Sequence, residues 1–140
     1  MISIEQVPPY VVWPLRHEVM YPDIDFESIK LPEDEEGIHF ALFEGNTLIS
    51  VLSLFREGND LQFRKFATLS AFQGKGYGSK LLNFVLDFAE REAVGRIWCN
   101  ARRSAASFYQ RFGFNETDRT FFKDGIDFVI MERYLSPEKT

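Results

Sequence analysis

The sequence predicts an α/β fold in which helices flank a mixed, mostly antiparallel sheet of six to seven strands. Short apolar runs separated by turn residues recur along the chain, as is typical of strands. Among them, apolar residues at helical spacing over residues 78–89 predict one long helix. The chain has 140 residues, of which 45% are hydrophobic, so we expect a single domain that spans residues 1–140.

The chain begins with a predicted strand and a predicted helix. Residues 1–7 alternate loosely between apolar and polar side chains and predict the strand. Pro8 and Pro9 are suited to the start of the helix, and Pro22 marks its end. Pro14 lies in or near the first helical turn, or else it kinks the helix.

A hairpin and a third strand follow an acidic loop. Residues 23–36 are rich in carboxylates and predict a loop with a short helical turn. The apolar runs at residues 38–43 and 48–55 flank Glu44-Gly45-Asn46-Thr47, which is a hairpin signature. After a second turn, residues 61–69 alternate as a strand.

The second half of the chain continues with helices and strands in turn. Ser104 is a plausible N-cap for a short helix, and Gly113 is suited to end that helix. Lys123-Asp124-Gly125 contains the Asp-Gly pair that is favoured in tight hairpin turns. The predicted order is the long helix, a strand at residues 96–100, a helix at residues 107–112, and strands at residues 114–122 and 126–134.

Composition and charge exclude several classes of protein. The net charge is −5 and the sequence pI is about 5.1, which argues against general nucleic-acid binding. No apolar run reaches the roughly 18 residues of a membrane span, and the start of the chain has no signal-peptide pattern. Cys99 is alone and cannot form an internal disulfide. Together these features predict a cytoplasmic protein that binds neither nucleic acid nor membrane.

A glycine-rich segment between a predicted strand and the long helix is the main chemical signal. It reads Gln73-Gly74-Lys75-Gly76-Tyr77-Gly78-Ser79. The first amides of a helix lack partners within it and favour the binding of an anion. The sequence therefore indicates a pyrophosphate as the ligand of this segment. The spacing excludes the P-loop and the dinucleotide fingerprint, and no metal-binding pair accompanies the loop. The alternative is a glycine-rich turn with no ligand.

Several motifs in order resemble the GNAT family of N-acetyltransferases. Gln73-x-x-Gly76-x-Gly78 is similar to the Q/R-x-x-G-x-G/A signature of that family. The resemblance extends from about residue 10 to residue 134. It includes Phe66-Ala67-Thr68-Leu69, Trp98-Cys99-Asn100-Ala101-Arg102, the helix and strand from Ala106 to Phe114, and Leu15-Arg16-His17-Glu18-Val19.

The resemblance implies that acetyl-CoA is the cofactor and coenzyme A a product. It implies that residues 67–69 run beside the pantetheine arm, with the amide of Thr68 or Leu69 holding the thioester oxygen. It also implies that the glycine-rich segment wraps the pyrophosphate. The implied cofactor-binding residues are Ala67, Thr68, Leu69, Gln73, Gly74, Lys75, Gly76, Tyr77, Gly78, Ser79, Asn100 and Tyr109.

Two side chains are implied to be catalytic. Tyr109 is placed to act as the general acid, because a phenol is protonated at neutral pH and can donate to the departing thiolate. Its alternative role is aromatic packing beside Phe108 and Phe112. Asn100 can bond the pantetheine or an ordered water, or it is a buried structural asparagine.

For the general base and the acceptor, the sequence leaves several candidates open. Some family members have a glutamate as the base on the strand before the cofactor loop. On the corresponding strand this chain has Gln62, Arg64 and Lys65. Water, or one of three candidates, then takes the proton of the amine. The acidic loop favours a cationic amine, whereas two arginines favour a substrate carboxylate. The candidates on the acceptor side are Arg16, His17, His39, Arg102 and Asp127, of which the two histidines and the aspartate are candidate bases.

The sequence therefore predicts an acetyl-CoA-dependent N-acetyltransferase for the amine of a small molecule. One alternative is a non-catalytic module that binds acetyl-CoA or coenzyme A as a sensor. Another is a different nucleotide enzyme, such as a phosphotransferase. A homodimer through the C-terminal strands is a further expectation from the resemblance, with Phe121, Phe122 and Phe128 as candidate contacts.

Overall fold

The structure is a computed structural model that describes residues 1–135, and its helices and strands follow the predicted order. Residues 136–140 of the predicted domain lie outside the described residues. The elements are β1 (Ile2–Val7), α1 (Pro9–Met20), β2 (Ile38–Glu44), β3 (Thr47–Glu57), β4 (Asp60–Thr68), α2 (Tyr77–Arg91), β5 (Arg96–Arg102), α3 (Ala106–Gln110), β6 (Asn115–Lys123) and β7 (Ile126–Tyr134).

The strands form one mixed sheet in the order β1-β2-β3-β4-β5-β7-β6. Pairing is antiparallel between β1 and β2, β2 and β3, β5 and β7, and β6 and β7. Strands β4 and β5 pair in parallel, over Asp60–Arg96, Leu61–Ile97 and Gln62–Trp98. The predicted fold class, a mostly antiparallel mixed sheet flanked by helices, is therefore confirmed.

The chain divides into two compact units, of which the first contains Met1–Phe55 and Phe63–Asp87. Its core joins Val12 and Leu15 of α1 to Ala41, Val51 and Ala67 of the strands. Phe40 contacts Phe84 of α2, with 5.5 Å between ring centroids. Because neighbouring residues of a strand point to opposite faces, α1 and α2 lie on opposite faces of β2.

Helix α1 begins and ends close to the positions that the prolines predict, whereas the segment after it is more helical than expected. Proline occupies the first turn, and Pro14 lies in the second turn of the helix. The acidic segment that follows contains two short 3₁₀ helices, Phe26–Ile29 and Asp34–Glu36, rather than one helical turn. Within residues 1–135, no helix has the length and apolar character needed to cross a membrane.

The second unit contains Arg56–Gln62 and the described chain from Phe88 onward. The predicted N-cap at Ser104 is wrong, because a 3₁₀ turn, Arg103–Ala105, leads into α3 and places Ala105 at the cap without a side-chain bond. Gly113 follows α3 with a φ of 87°, which suits its predicted role of ending the helix. Asp124 and Gly125 both have positive φ, as a tight hairpin turn requires.

Candidate active site

The glycine-rich segment forms an exposed turn between β4 and α2. Gly74 and Gly76 have φ values of 77° and 88°, a backbone region that glycine enters without steric cost. Gln73 donates from Nε2 to the carbonyl oxygen of Thr68 at 2.9 Å and so fastens the turn to the end of β4. Lys80 N donates to Gly76 O, so the helix amides before it have no partner within α2.

The hydrogen bonds at the end of β4 distinguish between the two candidate oxyanion donors, the amides of Thr68 and Leu69. Leu69 N donates to Ile49 O of β3 at 2.9 Å, so this amide is already engaged. Ser50 Oγ donates to Ala67 O at 3.1 Å and contacts Thr68 Oγ1 at 2.9 Å. Because amides alternate in direction along a strand, the Thr68 amide points away from β3. Thr68 is therefore the better placed of the two amides.

Two side chains of the glycine-rich turn, Tyr77 and Lys75, contact residues outside the turn. The Tyr77 hydroxyl donates to Glu44 at the end of β2, and this bond, with burial, raises the pKa of the tyrosine. The Tyr77 ring meets Phe72 edge to face, with 5.7 Å between centroids. Lys75 is exposed, with Nζ at 5.9 Å from the Phe72 ring centroid. The turn thus carries one exposed cation, Lys75, on a backbone that Gln73 and Tyr77 fasten to neighbouring strands.

Strand β5 and helix α3 carry the two predicted catalytic side chains. Asn100 pairs with Ile130 through its backbone and is exposed, so it is not the buried structural asparagine of the alternative interpretation. Tyr109 meets Phe108 and Phe114 edge to face. Burial, and secondarily the nearby Cys99, raise the pKa of Tyr109 above its usual value. Its phenol is therefore protonated throughout the neutral range.

Arg16 and His39, two of the predicted acceptor residues, are buried. The Arg16 guanidinium bonds Asp34 at 2.8 Å, together with Ser53 Oγ and Ile29 O. His39 bonds Ser53 Oγ at 2.7 Å through Nδ1 and Asp34 O at 2.9 Å through Nε2. Both side chains hold the acidic segment against the sheet, so neither is offered to a substrate.

The other three predicted acceptor residues lie nearer the surface. His17 is half-buried and bonds Ile24 O at 2.7 Å through Nε2, which fastens the segment after α1. Arg102 ends β5 and is exposed, and its backbone pairs with Phe128. Asp127 is exposed beside the β6–β7 turn. None of these contacts brings the three side chains together.

A small pocket in the first unit was missed by the sequence analysis. Its volume is about 180 Å³. It includes Lys65, which occupies an apolar position of the β4 alternation between Phe63 and Ala67. A lysine at such a position is the signal that could have indicated the pocket. The lining residues are Tyr21, Ile24, Ser28, Ile29, Leu31 and Lys65.

Comparison with known families decides the class of this protein. The family described as "Acetyltransferase (GNAT) domain" matches residues 14–135, which is most of the chain. The chain belongs to the GNAT family. It is therefore an N-acetyltransferase by class, and enzymes of this class move an acetyl group from acetyl-CoA to an amine.

Individual relatives agree with the family. The uncharacterized N-acetyltransferase YitI of Bacillus subtilis (strain 168) is 27% identical over 145 residues, covering 96% of this GNAT chain and 97% of the relative. The ribosomal-protein-S18-alanine N-acetyltransferase of Escherichia coli has a TM-score of 0.82 at 17% identity, covering 99% and 97% of the two chains. A Bacillus subtilis acetyltransferase in complex with CoA has a TM-score of 0.76 at 20% identity, covering 97% and 100%. The two crystal structures show the same fold.

Proposed function

We propose that this protein transfers the acetyl group of acetyl-CoA to the amine of a small molecule. The observation that carries the proposal is the end of β4, where the Thr68 amide points away from β3 and the glycine turn leads into α2. A fixed amide can hold the thioester oxygen, and amides at a helix start can hold the pyrophosphate. Membership of the family and the relative crystallised with CoA support the same cofactor.

The reaction that these groups support is direct attack on the thioester. The neutral amine attacks the carbonyl carbon, and a C–N bond forms while negative charge develops on the oxygen. The Thr68 amide stabilises this charge, and a donor of this kind typically contributes about 2.7–4 kcal/mol. Collapse of the intermediate breaks the C–S bond, and the nitrogen loses its extra proton. The products are the acetylated amine and coenzyme A.

We assign Tyr109 to the departing sulfur. Its raised pKa keeps the phenol protonated, so the hydroxyl can donate to the thiolate. The thiol formed has a pKa of about 8.5 by analogy with cysteine, so complete proton transfer from tyrosine is uphill. A hydrogen bond to the sulfur is therefore the main contribution of Tyr109. Asn100, exposed two residues before the end of β5, is assigned to the pantetheine arm or its ordered water.

Water is the proposed acceptor of the proton that the amine loses. The chain contains two histidines, and both are engaged, His17 with Ile24 O and His39 with Ser53 and Asp34 O. The rate is then set by the fraction of amine that is already neutral. We expect kcat/KM to rise with pH until the pKa of the acceptor itself is passed.

The first test is thermal unfolding with and without acetyl-CoA, with ATP and NAD as controls. A ligand that binds the folded protein alone raises the midpoint of unfolding, so we expect a selective rise with acetyl-CoA. No rise in a well-folded sample would refute the cofactor assignment. A rise without release of coenzyme A across a broad panel of amines would favour the sensor instead.

Replacing Tyr109 with Phe tests the assigned leaving-group role. The ring contacts with Phe108 and Phe114 are retained, and the hydroxyl alone is lost. We expect turnover to fall by about 10- to 150-fold, which corresponds to a lost hydrogen bond of roughly 1.5–3 kcal/mol to a charged group, with acetyl-CoA binding little changed. Tyr134→Phe is the matched control, because Tyr134 is 70% exposed. Equal turnover in the Tyr109→Phe and Tyr134→Phe variants would remove Tyr109 from the mechanism.

We further propose that both units act as one acetyltransferase domain. The family match over residues 14–135 supports this, because it runs through both units. The cytoplasmic location and the homodimer through the C-terminal strands stay predictions.

A further inference from the structure

The pocket in the first unit contains a lysine that is held at one side and open at the other. Lys65 has a φ of 57°, an uncommon backbone conformation for a residue within a strand. Its ammonium donates to the hydroxyl of Tyr21 and lies 4.6 Å from the centroid of that ring. Tyr21 is itself fixed, because it caps α1 and its amide donates to His17 O. Strain of this kind is found most often at functional sites.

The Lys65 ammonium has donors to spare. A lysine carries three N–H donors, and the Tyr21 hydroxyl accepts one of them. Within residues 1–135, no carboxylate lies within ion-pair distance of Lys65. A partly buried cation with two further donors can bind an anionic oxygen group through charge-assisted hydrogen bonds.

Three of the seven carboxylates in the neighbouring segment, residues 23–36, are paired with other cations. Asp34 is bound to Arg16 at 2.8 Å, Glu27 to Lys30 at 2.9 Å, and Glu33 to Arg64 at 3.6 Å. These pairings also weaken the expectation that the acidic segment attracts a cationic amine. The charge that faces the pocket is that of Lys65.

We propose that this pocket binds the carboxylate of the acceptor, so that the acceptor is a small amino acid or a related amine with an acidic group. The inference rests on the proposed acetyl transfer. Lys65 holds the carboxylate, Ser28 offers a further hydroxyl, and the walls of Ile24, Ile29 and Leu31 contact the aliphatic part of the guest.

Size and position agree with such a guest. The pocket volume of about 180 Å³ is below the roughly 300–1,000 Å³ of common ligand sites, so its guest must be small. Lys65 precedes Thr68 by three residues on β4, which is about 10 Å at roughly 3.3 Å per residue. A carboxylate held at Lys65 therefore lets the amine of a short molecule extend along β4 toward the amide assigned to the thioester oxygen.

Matched acceptors with and without the carboxylate provide the test. L-leucine is compared with 3-methylbutylamine, and 4-aminobutyrate with propylamine, within a panel of the common amino acids. With kcat/KM calculated per concentration of neutral amine, to correct for the different basicity of the paired amines, we expect at least about a tenfold higher value for the carboxylated member of the preferred pair, which corresponds to about 1.4 kcal/mol. Lys65→Met should abolish this preference and leave the decarboxylated amine within about threefold of the wild type. Lys65→Arg should restore part of the preference.

A control variant and a binding measurement keep the inference separate from the proposed function. Lys123→Met removes an exposed lysine beside the β6–β7 turn and should leave the preference unchanged. Calorimetry with CoA present measures binding of the same pairs without turnover. If acetyl-CoA binds and amines without carboxylates, or peptide N-termini, are acetylated equally well, the inference is wrong although the function stands. If acetyl-CoA itself does not bind, the proposed function fails first.

Discussion

At the scale of single residues, the buried pair of Arg16 and Asp34 organises the segment after α1. Asp34 accepts from Arg16, from Trp13 Nε1 at 3.0 Å and from Leu31 N at 2.8 Å. Burial raises the pKa of Asp34, but the hydrogen bonds, chiefly that from Arg16, lower it to below its usual value overall. A buried charge must be paired, so the two residues depend on each other.

Replacing Asp34 with Asn tests this dependence. The variant leaves a buried guanidinium without a counter-charge, so we expect the free energy of unfolding to fall by about 3–5 kcal/mol in urea titrations. In the wild type, the lowered pKa contributes stability that is present above about pH 4 and is lost as pH falls through the folded value. On acidification below about pH 4, the free energy of unfolding should therefore fall less steeply in Asp34→Asn than in the wild type.

Two outcomes bear on that prediction. The double variant Arg16→Met with Asp34→Leu removes both charges, and we expect it to be more stable than Asp34→Asn. A loss below about 1 kcal/mol in Asp34→Asn would mean that the pair is not coupled as its geometry indicates.

At the scale of elements, the glycine turn can be tested with a matched glycine elsewhere. Gly76 has a φ of 88° and Gly58 a φ of 60°, and a Cβ added at either meets nothing within 4 Å. Alanine at either position should therefore cost a similar backbone strain of about 1–2 kcal/mol. Gly76→Ala should also weaken acetyl-CoA binding, measured by calorimetry, whereas Gly58→Ala should not. Equal affinities for acetyl-CoA in the two variants would argue against the turn as the pyrophosphate site.

Local signals predicted most elements, and the exceptions have local causes. The helix α2 was evident because its apolar residues repeat at helical spacing, and Leu81, Leu82 and Val85 are indeed fully buried. The cap at Ser104 was wrong because a 3₁₀ turn occupies Arg103–Ala105 before α3 begins. The place of β7 between β5 and β6 was not predicted, because strand neighbours depend on contacts that are distant in sequence.

At the scale of the whole molecule, distance along the chain decided what could be predicted of the site. The glycine turn is continuous in sequence, so its residues could be named in advance. The pocket joins Tyr21 to Lys65, which are 44 residues apart, and Arg16 finds its partner at Asp34 only in the folded chain. Single-sequence reasoning placed Arg16 with the substrate because it could not see that partner.

Stability at alkaline pH reports on the integrity of the whole fold. Burial raises the pKa of the Cys99 thiol from 9.0 to about 12. Folding therefore favours the neutral thiol, and the stability that this contributes is complete below about pH 9 and is lost as pH rises toward the folded value. In the window from pH 9 to 10, the free energy of unfolding should fall by up to about 1.4 kcal/mol per pH unit through this group.

Cys99→Ala isolates that contribution, because it removes the titrating thiol from a site that is 2% exposed. The variant loses some packing at every pH, so the slope of stability with pH is compared and not its absolute value. Urea titrations under reducing conditions at pH 8, 9 and 10 should give a shallower decline for Cys99→Ala than for the wild type. Tyr109→Phe should match the wild type between pH 8 and 9, since the raised pKa of Tyr109 affects stability only as pH approaches 10, where an unfolded tyrosine titrates. Identical slopes for Cys99→Ala and the wild type would mean that Cys99 reaches water in the folded protein, and that β5 is less firmly buried beside the helix of Tyr109 than its geometry indicates.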